Sequence, residues 1–284
     1  MFLQTARAID DWRRDIQIRR FALIALALAA CLQTGCAARR LPISPPAEPL
    51  PPLESPQDAV QLLIEKYGGA DSFRASGKIR MKLPGEQAQK QVSFALMFER
   101  PDRLRMRVYR PLAPTLLEIV SDGNRRWLYV PSERTAYLSE GRQPFQVEGN
   151  YVAIPADTIA AALVVVPDPR AMSSLPARIR FGEKLVHLFV VEENGTQREI
   201  LIDSASGLAT RQILVGADGA TQADITYKEH AFKENTAVAI STDILLPQIG
   251  AFVSIRIDDL QTGAQIPAGA FEFSPPAGVE IMRP

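Results

Sequence analysis

Cysteine and histidine are scarce in this chain. Both cysteines, Cys31 and Cys36, lie near the N-terminus, so the rest of the sequence offers no cysteine nucleophile and no disulfide framework. The two histidines, His187 and His230, fall on separate predicted strands, where ordinary structural roles explain them. HExxH, GxSxG, P-loop and GxGxxG motifs are absent. The acidic pairs Asp258-Asp259 and Glu192-Glu193 fall on a predicted strand and at a predicted turn, so the sequence nominates no catalytic groups for a pocket. We therefore expect no enzyme activity, no metal site and no cofactor.

The apolar run near the N-terminus is too short to cross a membrane. Residues 21–30, FALIALALAA, hold no charge, whereas a transmembrane helix needs about 20 apolar residues. Arg19 and Arg20 precede the run, as basic residues precede the apolar region of a secretory signal peptide. We predict a signal peptide over residues 1–30.

The two cysteines follow this run directly. Leu28-Ala29-Ala30-Cys31 resembles the bacterial lipobox, in which the cysteine is acylated and becomes the first residue of the mature protein. Cys36, after Thr34-Gly35, is a rival lipidation site. A disulfide between the two would constrain little, and a metal pair has no nearby histidine. Neither cysteine is followed by aspartate, which favours the outer membrane, with the domain facing the periplasm.

A proline-rich segment follows, so we divide the chain into three parts. Residues 31–54 hold the acylated cysteine and the tether, which at about 3.1 Å per residue spans on the order of 50 Å. Residues 55–284 form the folded domain. The whole chain has a formal net charge of +0, and residues 1–30 hold five arginines and three aspartates. The mature product is thus slightly acidic, which argues against nucleic acid as a partner.

Most of the domain has the period-two alternation of strands with one buried face. Ser55-Pro56-Gln57-Asp58 first opens a helix that ends at Gly68-Gly69. A second helix is predicted from Pro155 to about Val166. The segments with this alternation include Ile79–Leu83, Val92–Phe98 and Leu104–Val108. Further strands are predicted at 115–121, 126–131, 134–139, 185–192, 197–203, 208–215, 221–229 and 251–258.

Basic side chains alternate with the apolar ones on two of these strands. Arg103, Arg105 and Arg107 form one row, and Lys78, Arg80 and Lys82 lie on an earlier strand. Such a row is either a surface for anionic membranes or partners or a solvated strand face, and the second interpretation is the simpler one.

Two stretches resemble the LolA/LolB-like lipoprotein-carrier superfamily. The first is residues 98–138, with Arg100-Pro101, Ser121-Asp122-Gly123 and the aromatic segment Trp127–Pro131. The second is the C-terminal segment FEFSPPAGV, residues 271–279. The resemblance implies a mostly β fold, an antiparallel incomplete (half) β-barrel with a helical lid. It also implies that acyl chains bind on the apolar concave face without a cofactor. The lipobox favours the LolB-like branch or a paralogue of it.

The alternation supplies the candidates for this cavity. Each of them could equally be plain core, and the helix from Pro155 is the candidate lid. The lipid-cavity candidates are Val92, Phe94, Leu96, Phe98, Leu104, Met106, Val108, Ile159 and Leu163.

Leu112 is a candidate for membrane contact. It lies between Pro111 and Pro114, where it has little chance of joining a strand ladder. The resemblance places it at the LolB loop whose leucine projects into the membrane. It either folds back on the core or faces a bilayer.

We therefore expect a lipid-anchored outer-membrane protein that binds acyl chains of lipoproteins or lipids for transfer to the membrane. Its partners would be the membrane, through the N-terminal acyl chains, the lipoprotein or lipid acyl chains, and a periplasmic carrier protein. The alternative is an envelope sensor or assembly subunit that binds a protein partner through the same fold and carries no lipid, since a stress-signal regulator also resembles this superfamily.

Overall fold

The computed structural model describes residues 53–85, 88–140, 156–233 and 235–283. The predicted signal peptide, Cys31, Cys36 and nearly all of the tether lie outside these residues. The helices are α1 (Pro56–Tyr67), α2 (Ala156–Val164) and α3 (Pro169–Ser174), with a 3₁₀ turn at Pro247–Ile249. Within the described part of the chain, no helix is long and apolar enough to span a membrane.

The described strands join into one sheet of fourteen strands. In chain order they are β1 (Ser72–Lys82), β2 (Lys90–Glu99), β3 (Arg103–Tyr109), β4 (Thr115–Asp122), β5 (Arg125–Val130), β6 (Thr135–Glu140), β7 (Ala177–Phe181), β8 (Leu185–Val191), β9 (Gln197–Asp203), β10 (Ala209–Val215), β11 (Thr221–Lys233), β12 (Thr236–Leu246), β13 (Ala251–Thr262) and β14 (Glu280–Met282).

Two meanders make up this sheet, and one pairing joins them. Strands β1 to β6 pair in succession, and so do β7 to β13; β13 then pairs antiparallel with β1. The short β14 adds in parallel to β6. The sheet order runs from β14 to β7, and no pairing among the described strands joins those two ends. The sheet is therefore an incomplete barrel, as predicted.

One face of the sheet holds the core, and the alternation in the sequence explains why. On β2 the residues Val92, Phe94, Leu96 and Phe98 are at most 6% exposed, while the side chains between them are half-buried or exposed. Successive side chains of a strand point to opposite faces, so each strand gives its apolar set to the concave side. The helices pack there: α2 on β11 and β12, and α1 on β7, β8, β12 and α3.

Helix α1 begins and ends where the sequence predicts. Ser55 Oγ accepts from Asp58 N at 3.2 Å, and Asp58 Oδ2 accepts from Ser55 N at 2.7 Å, so the two residues form a capping box. At the other end Gly68 N donates to Ile64 O at 2.7 Å. The helix is thereby closed at both ends before β1 begins.

The short helix α3 and three further features differ from the sequence-based expectation. Helix α2 ends at Val164, because Val165 has a φ of 25° and Pro167 follows, which disfavours helical geometry in the residue before it. Strand β12 was not predicted, since residues 236–242 are buried on both faces and show no alternation. The short edge strands β7 and β14 were missed as well, because five and three residues carry too little pattern.

Candidate functional site

The structure brings the nine predicted cavity residues together in one buried cluster on the concave side. Each of them is at most 6% exposed. Seven lie on the inner faces of β2 and β3, which we call the apolar wall, and Ile159 and Leu163 lie on α2. In this conformation α2 occupies part of the half-barrel interior, so these residues contact protein.

Helix α2 is fixed to the far side of the interior by polar side chains. Tyr227 Oη donates to Ala161 O at 2.7 Å, and Thr242 Oγ1 donates to Ala162 O at 3.0 Å. The last carbonyls of a helix have no partner within the helix, so these bonds replace the missing ones. We call the inner faces of β10, β11 and β12, which carry Gln212, Tyr227 and Thr242, the polar wall. Burial raises the pKa of Tyr227 well above its usual value, so its hydroxyl remains a donor.

A half-buried arginine joins α1 to the segment between α2 and α3. Arg100, in the turn after β2, donates to Ala70 O at 2.7 Å and to Pro167 O at 2.9 Å, and also bonds Tyr67 O and Val166 O. Burial lowers the pKa of Arg100 to about 10, against the opposing effect of Asp71 and Asp168. The guanidinium stays charged at neutral pH and holds the ends of both helices from one point on the sheet.

A cleft of about 550 Å³ opens at the end of the half-barrel next to this arginine. One side is formed by β3, β4 and β5, including Leu104, Ser121 and Arg126. The other side is formed by β8, β9 and the turn between them, with α2, α3 and their connection completing the boundary. Because β5 lies third from one end of the sheet and β9 third from the other, the cleft lies between strands that are near the two ends of the curled sheet.

Two arginines line this cleft, and the sequence analysis named neither as a site residue. Arg126 on β5 is 5% exposed, and Arg198 on β9 bonds Glu192 Oε1 at 2.5 Å. With the Gln212 amide oriented to satisfy both neighbours, its carbonyl accepts from Arg198 Nη1 at 2.6 Å and its nitrogen donates to Tyr227 Oη. The sequence carries a signal for these two residues, because each arginine occupies an inward strand position where the period-two alternation predicts an apolar residue.

The loop between β3 and β4 presents Leu112 to solvent. The side chain is fully exposed, and the backbone has a φ of 61°, a left-handed conformation that favours glycine. Ala113 N donates to Arg110 O at 3.1 Å and closes the turn. Of the two alternatives for Leu112, folding back on the core is therefore wrong for this conformation. Contact with a membrane stays a prediction.

The second stretch of the family resemblance packs on the first, on the outer face of the sheet. The ring of Phe273 lies 5.3 Å from that of Trp127 and 5.6 Å from that of Tyr129, between centroids. Arg105 Nη1 donates to Ala270 O at 2.9 Å and so helps to fix this C-terminal segment. The C-terminal stretch has a structural role and does not line the cleft, whereas the first stretch contributes Pro101, Leu104 and Ser121 to the lining.

Part of the predicted basic row is also structural. Arg105 Nε and Arg107 Nε both donate to Glu118 Oε1 at 2.7 Å, and Arg103 pairs with Glu99 at 2.9 Å. These ion pairs account for the row without an anionic partner. Lys78, Arg80 and Lys82 remain on an exposed face.

The histidines lie apart. His230 Nε2 lies 3.0 Å from the hydroxyl of Tyr67, which accepts from Ala209 N at 2.9 Å. In the tautomer with its proton on Nδ1, the imidazole accepts from that hydroxyl. Burial lowers the pKa of His230 to about 4. His187 lies on the outer face, with its Nδ1 2.7 Å from Glu199 Oε1. Neither histidine lines the cleft.

Solved structures support the fold that the sequence suggests. A LolA superfamily protein from Nitrosomonas europaea superposes with a TM-score of 0.56 at 11% identity, over 78% of this chain and 99% of that one. A DUF1329 family protein from Desulfovibrio piger gives 0.58 at 11% identity, over 76% and 95%. A domain described as an outer membrane lipoprotein-sorting protein from Vibrio parahaemolyticus gives 0.54 at 11% identity, over 76% and 95%.

These likenesses show the fold, which is LolA/LolB-like, and the resemblance drawn from the two stretches is confirmed at that level. Comparison with protein-family models and with curated proteins finds no match. One of these structures is described as a lipoprotein-sorting domain, and at 11% identity the likeness shows the fold alone.

Proposed function

We propose that this protein is a lipid-anchored outer-membrane protein that binds acyl chains of lipoproteins or lipids in its half-barrel and delivers them to the membrane. The single observation that carries the proposal is the concave face of the half-barrel, which is apolar along β2 and β3 and which, in the described part of the chain, faces helices and not a second sheet. A two-layer sandwich would bury the same residues permanently. A helix in a chain connection can leave the face and expose it.

The packing of α2 indicates where the interior would open. The helix packs on β11 and β12 and is hydrogen-bonded to the polar wall, whereas the cleft separates its residue Ala160 from Leu104 on β3. Dispersion contacts have no preferred direction and can be exchanged for contacts with an acyl chain. We therefore expect a ligand to enter between α2 and the apolar wall, and the helix to keep its bonds to the polar wall.

Transfer needs no covalent chemistry in this proposal. Each methylene moved from water into an apolar site is worth about 0.8 kcal/mol, so an acyl chain moves to the site that buries it better. Closure of α2 over the apolar wall, secured by Arg100, would lower the affinity for the chain and favour its release into a bilayer.

Membrane attachment in this proposal rests on the N-terminal segment and the exposed loop. Acylation of Cys31, or of its rival Cys36, would anchor the chain, since two or more acyl chains hold a protein stably on a bilayer. The proline-rich tether would then allow the domain to reach across the periplasmic side. Leu112 would enter the bilayer and mark the point of delivery.

The test is photocrosslinking from the interior in living cells. A photoreactive residue is placed at Leu96 on the apolar wall, and the adducts are identified by mass spectrometry; a second variant with the probe at the exposed Ala95 serves as the matched control. We expect acylated lipoproteins or lipids on the Leu96 probe and not on the Ala95 probe. Crosslinks from Leu96 only to strands and helices of the same chain would contradict the proposal.

One observation favours a second candidate. Every side chain of the apolar wall is at most 6% exposed in this conformation, as expected for a sensor or assembly subunit that binds a protein partner and carries no lipid. In that case the Leu96 probe would give only internal crosslinks, and probes on the outer face would capture a protein.

A further inference from the structure

The turn between β12 and β13 exposes apolar side chains at one end of the sheet. Ile249 lies in this turn and is 45% exposed, and Leu245, shortly before it, is 44% exposed. Leu245 pairs across the sheet with Phe252, which is half-buried on the outer face. Gly250 closes the turn with a φ of 62° and lies beside Pro84, in the connection from β1 to β2. We call Pro84, Leu245, Ile249 and Phe252 the rim patch.

A row of cations adjoins the rim patch on the outer face. Lys82 lies directly opposite Phe252 in the ladder of β1 and β13, and Arg80 and Lys78 follow at successive outward positions of β1. All three are exposed. Arg80 Nε donates to Gln91 Oε1 at 3.0 Å, and no ion pair among the described residues uses any of the three cations.

The carboxylates in the neighbourhood do not cancel this charge. Three of them already have cations of their own, in the pairs Arg211–Asp224, Lys228–Asp243 and Arg256–Glu229. Asp258 and Asp259 lie beyond Lys78 along the sheet, on the side away from the rim patch. By sequence, Glu86 is the one acidic residue of the connection between β1 and β2. The surface beside the rim patch therefore has an excess of positive charge.

The exposed Leu112 lies at the same end of the sheet as the rim patch. Connections of an antiparallel meander alternate between its two ends, so the loop from β3 to β4 and the turn from β12 to β13 share one end. In the strand order the two connections are four strand spacings apart, which is about 19 Å along the sheet. Lys82, on β1, lies between them. A flat surface can thus contact both apolar points and the cation together.

We propose, on the basis of the membrane attachment proposed above, that this end of the sheet docks on an anionic bilayer. The rim patch and Leu112 enter the boundary of the hydrocarbon, while Lys78, Arg80 and Lys82 bind lipid phosphates. Binding to such a surface grows with the apolar area that it buries and with the attraction of cations to anionic lipids. A single contact at Leu112 leaves the domain free to rotate, whereas two contacts set its orientation on the membrane.

Photocrosslinking from Ile249 in the full-length protein tests this docking surface. The protein is mixed with vesicles of phosphatidylcholine alone or of an equimolar mixture of phosphatidylcholine and phosphatidylglycerol, and lipid adducts are measured by mass spectrometry. A probe at Gln261, an exposed residue near the other end of β13, is the matched control. On the mixed vesicles, Ile249 should give about tenfold more lipid adducts than it gives on neutral vesicles and than Gln261 gives.

Two double variants with the same loss of charge locate the effect. Each cation close to an anionic surface strengthens binding about fivefold, so Lys78→Gln combined with Lys82→Gln should lower the adduct yield at Ile249 about tenfold or more. Arg178→Gln combined with Lys184→Gln, on β7 and in the turn after it, should leave the yield unchanged. All four side chains are exposed, so neither variant should alter folding.

Equal adduct yields from Ile249 on neutral and on anionic vesicles would overturn the proposal, and so would an equal yield from Gln261. An unchanged yield in the variant of Lys78 and Lys82 would do the same. In living cells, adducts from Ile249 to protein alone would show that a protein partner covers this surface. The probe at Leu96 reports acyl chains in the interior, so a failure of the docking surface is distinguishable from a failure of the proposed function.

Discussion

The apolar wall and the polar wall face the same interior and hold it together in different ways. The inward side chains of β2 and β3 are all hydrocarbon or thioether, and they contribute only burial and close packing. The inward side chains of β10 to β12 include three buried polar groups, which bond each other or the carbonyls of α2. A buried polar group loses stability when its hydrogen-bond partner is replaced, whereas an apolar side chain can pack against any other apolar group. We therefore expect α2 to keep its contacts with the polar wall and to exchange its contacts on the side of the apolar wall.

Truncation of the apolar wall should have the largest effect on stability. Phe98 is completely buried and packs on Phe73 with 5.1 Å between ring centroids. Phe98→Ala should lower the free energy of unfolding by about 3–5 kcal/mol, because it removes buried surface and leaves a cavity. Urea denaturation measures the change, and Phe252→Ala on the outer face is the control, with a smaller loss. A loss as small as that of the control would show that the apolar wall is not packed.

The polar side of the interior should respond to pH. His230 has a pKa of about 4 in the folded state against 6.5 ordinarily, so the unfolded chain binds more protons between these values. The stability that neutral His230 contributes is therefore fully present above about pH 6.5 and is lost as the pH falls towards 4. The free energy of unfolding should be lower by about 2 kcal/mol at pH 5. Protonation of Nε2 also removes the acceptor for the Tyr67 hydroxyl.

Thermal denaturation of the wild type and of His230→Gln between pH 7 and 4.5 measures this contribution. The variant should lose less stability than the wild type over that range. Parallel curves for the two proteins would mean that His230 is not the group that titrates.

Removal of one hydroxyl from the polar wall should have a smaller effect. Tyr227→Phe removes the hydrogen-bond partner of Ala161 O and of the Gln212 side chain, which are both buried. The free energy of unfolding should fall by about 1.5 kcal/mol. The same variant should weaken the attachment of α2, so hydrogen exchange of the α2 amides should accelerate. Tyr129→Phe, on the outer face, should leave that exchange unchanged. Slow exchange in both variants would mean that α2 is not held by the polar wall.

The smallest effect on stability is expected at the exposed loop. Leu112→Glu should change the free energy of unfolding by less than about 0.5 kcal/mol, because the side chain contacts solvent alone. The same variant should nevertheless lose delivery of a lipoprotein to vesicles in a transfer assay, with Leu112→Met as the apolar control. Normal delivery by Leu112→Glu would remove Leu112 from the mechanism.

The apolar wall was predictable from sequence and the polar wall was not. Alternation on β2 and β3 is strict, so period two places Phe94 and Leu104 on the same face without further information. Thr242 lies in a stretch buried on both sides, where periodicity carries no signal. Arg100 acts through a partner distant in the sequence, Val166, and Arg126 lines a cleft whose other side comes from β8 and β9. Only the folded chain brings these segments together.

The pairing of β1 with β13 has a consequence for synthesis of the chain. Phe73 lies opposite Thr262, so a strand made near the start receives its second neighbour only when most of the domain has been produced. Until then both edges of the first meander expose unpaired backbone, which is a template for association with other chains. Pairings so distant along the chain also form slowly. The nascent domain is thus prone to association with other chains until β13, its last long strand, has been synthesised.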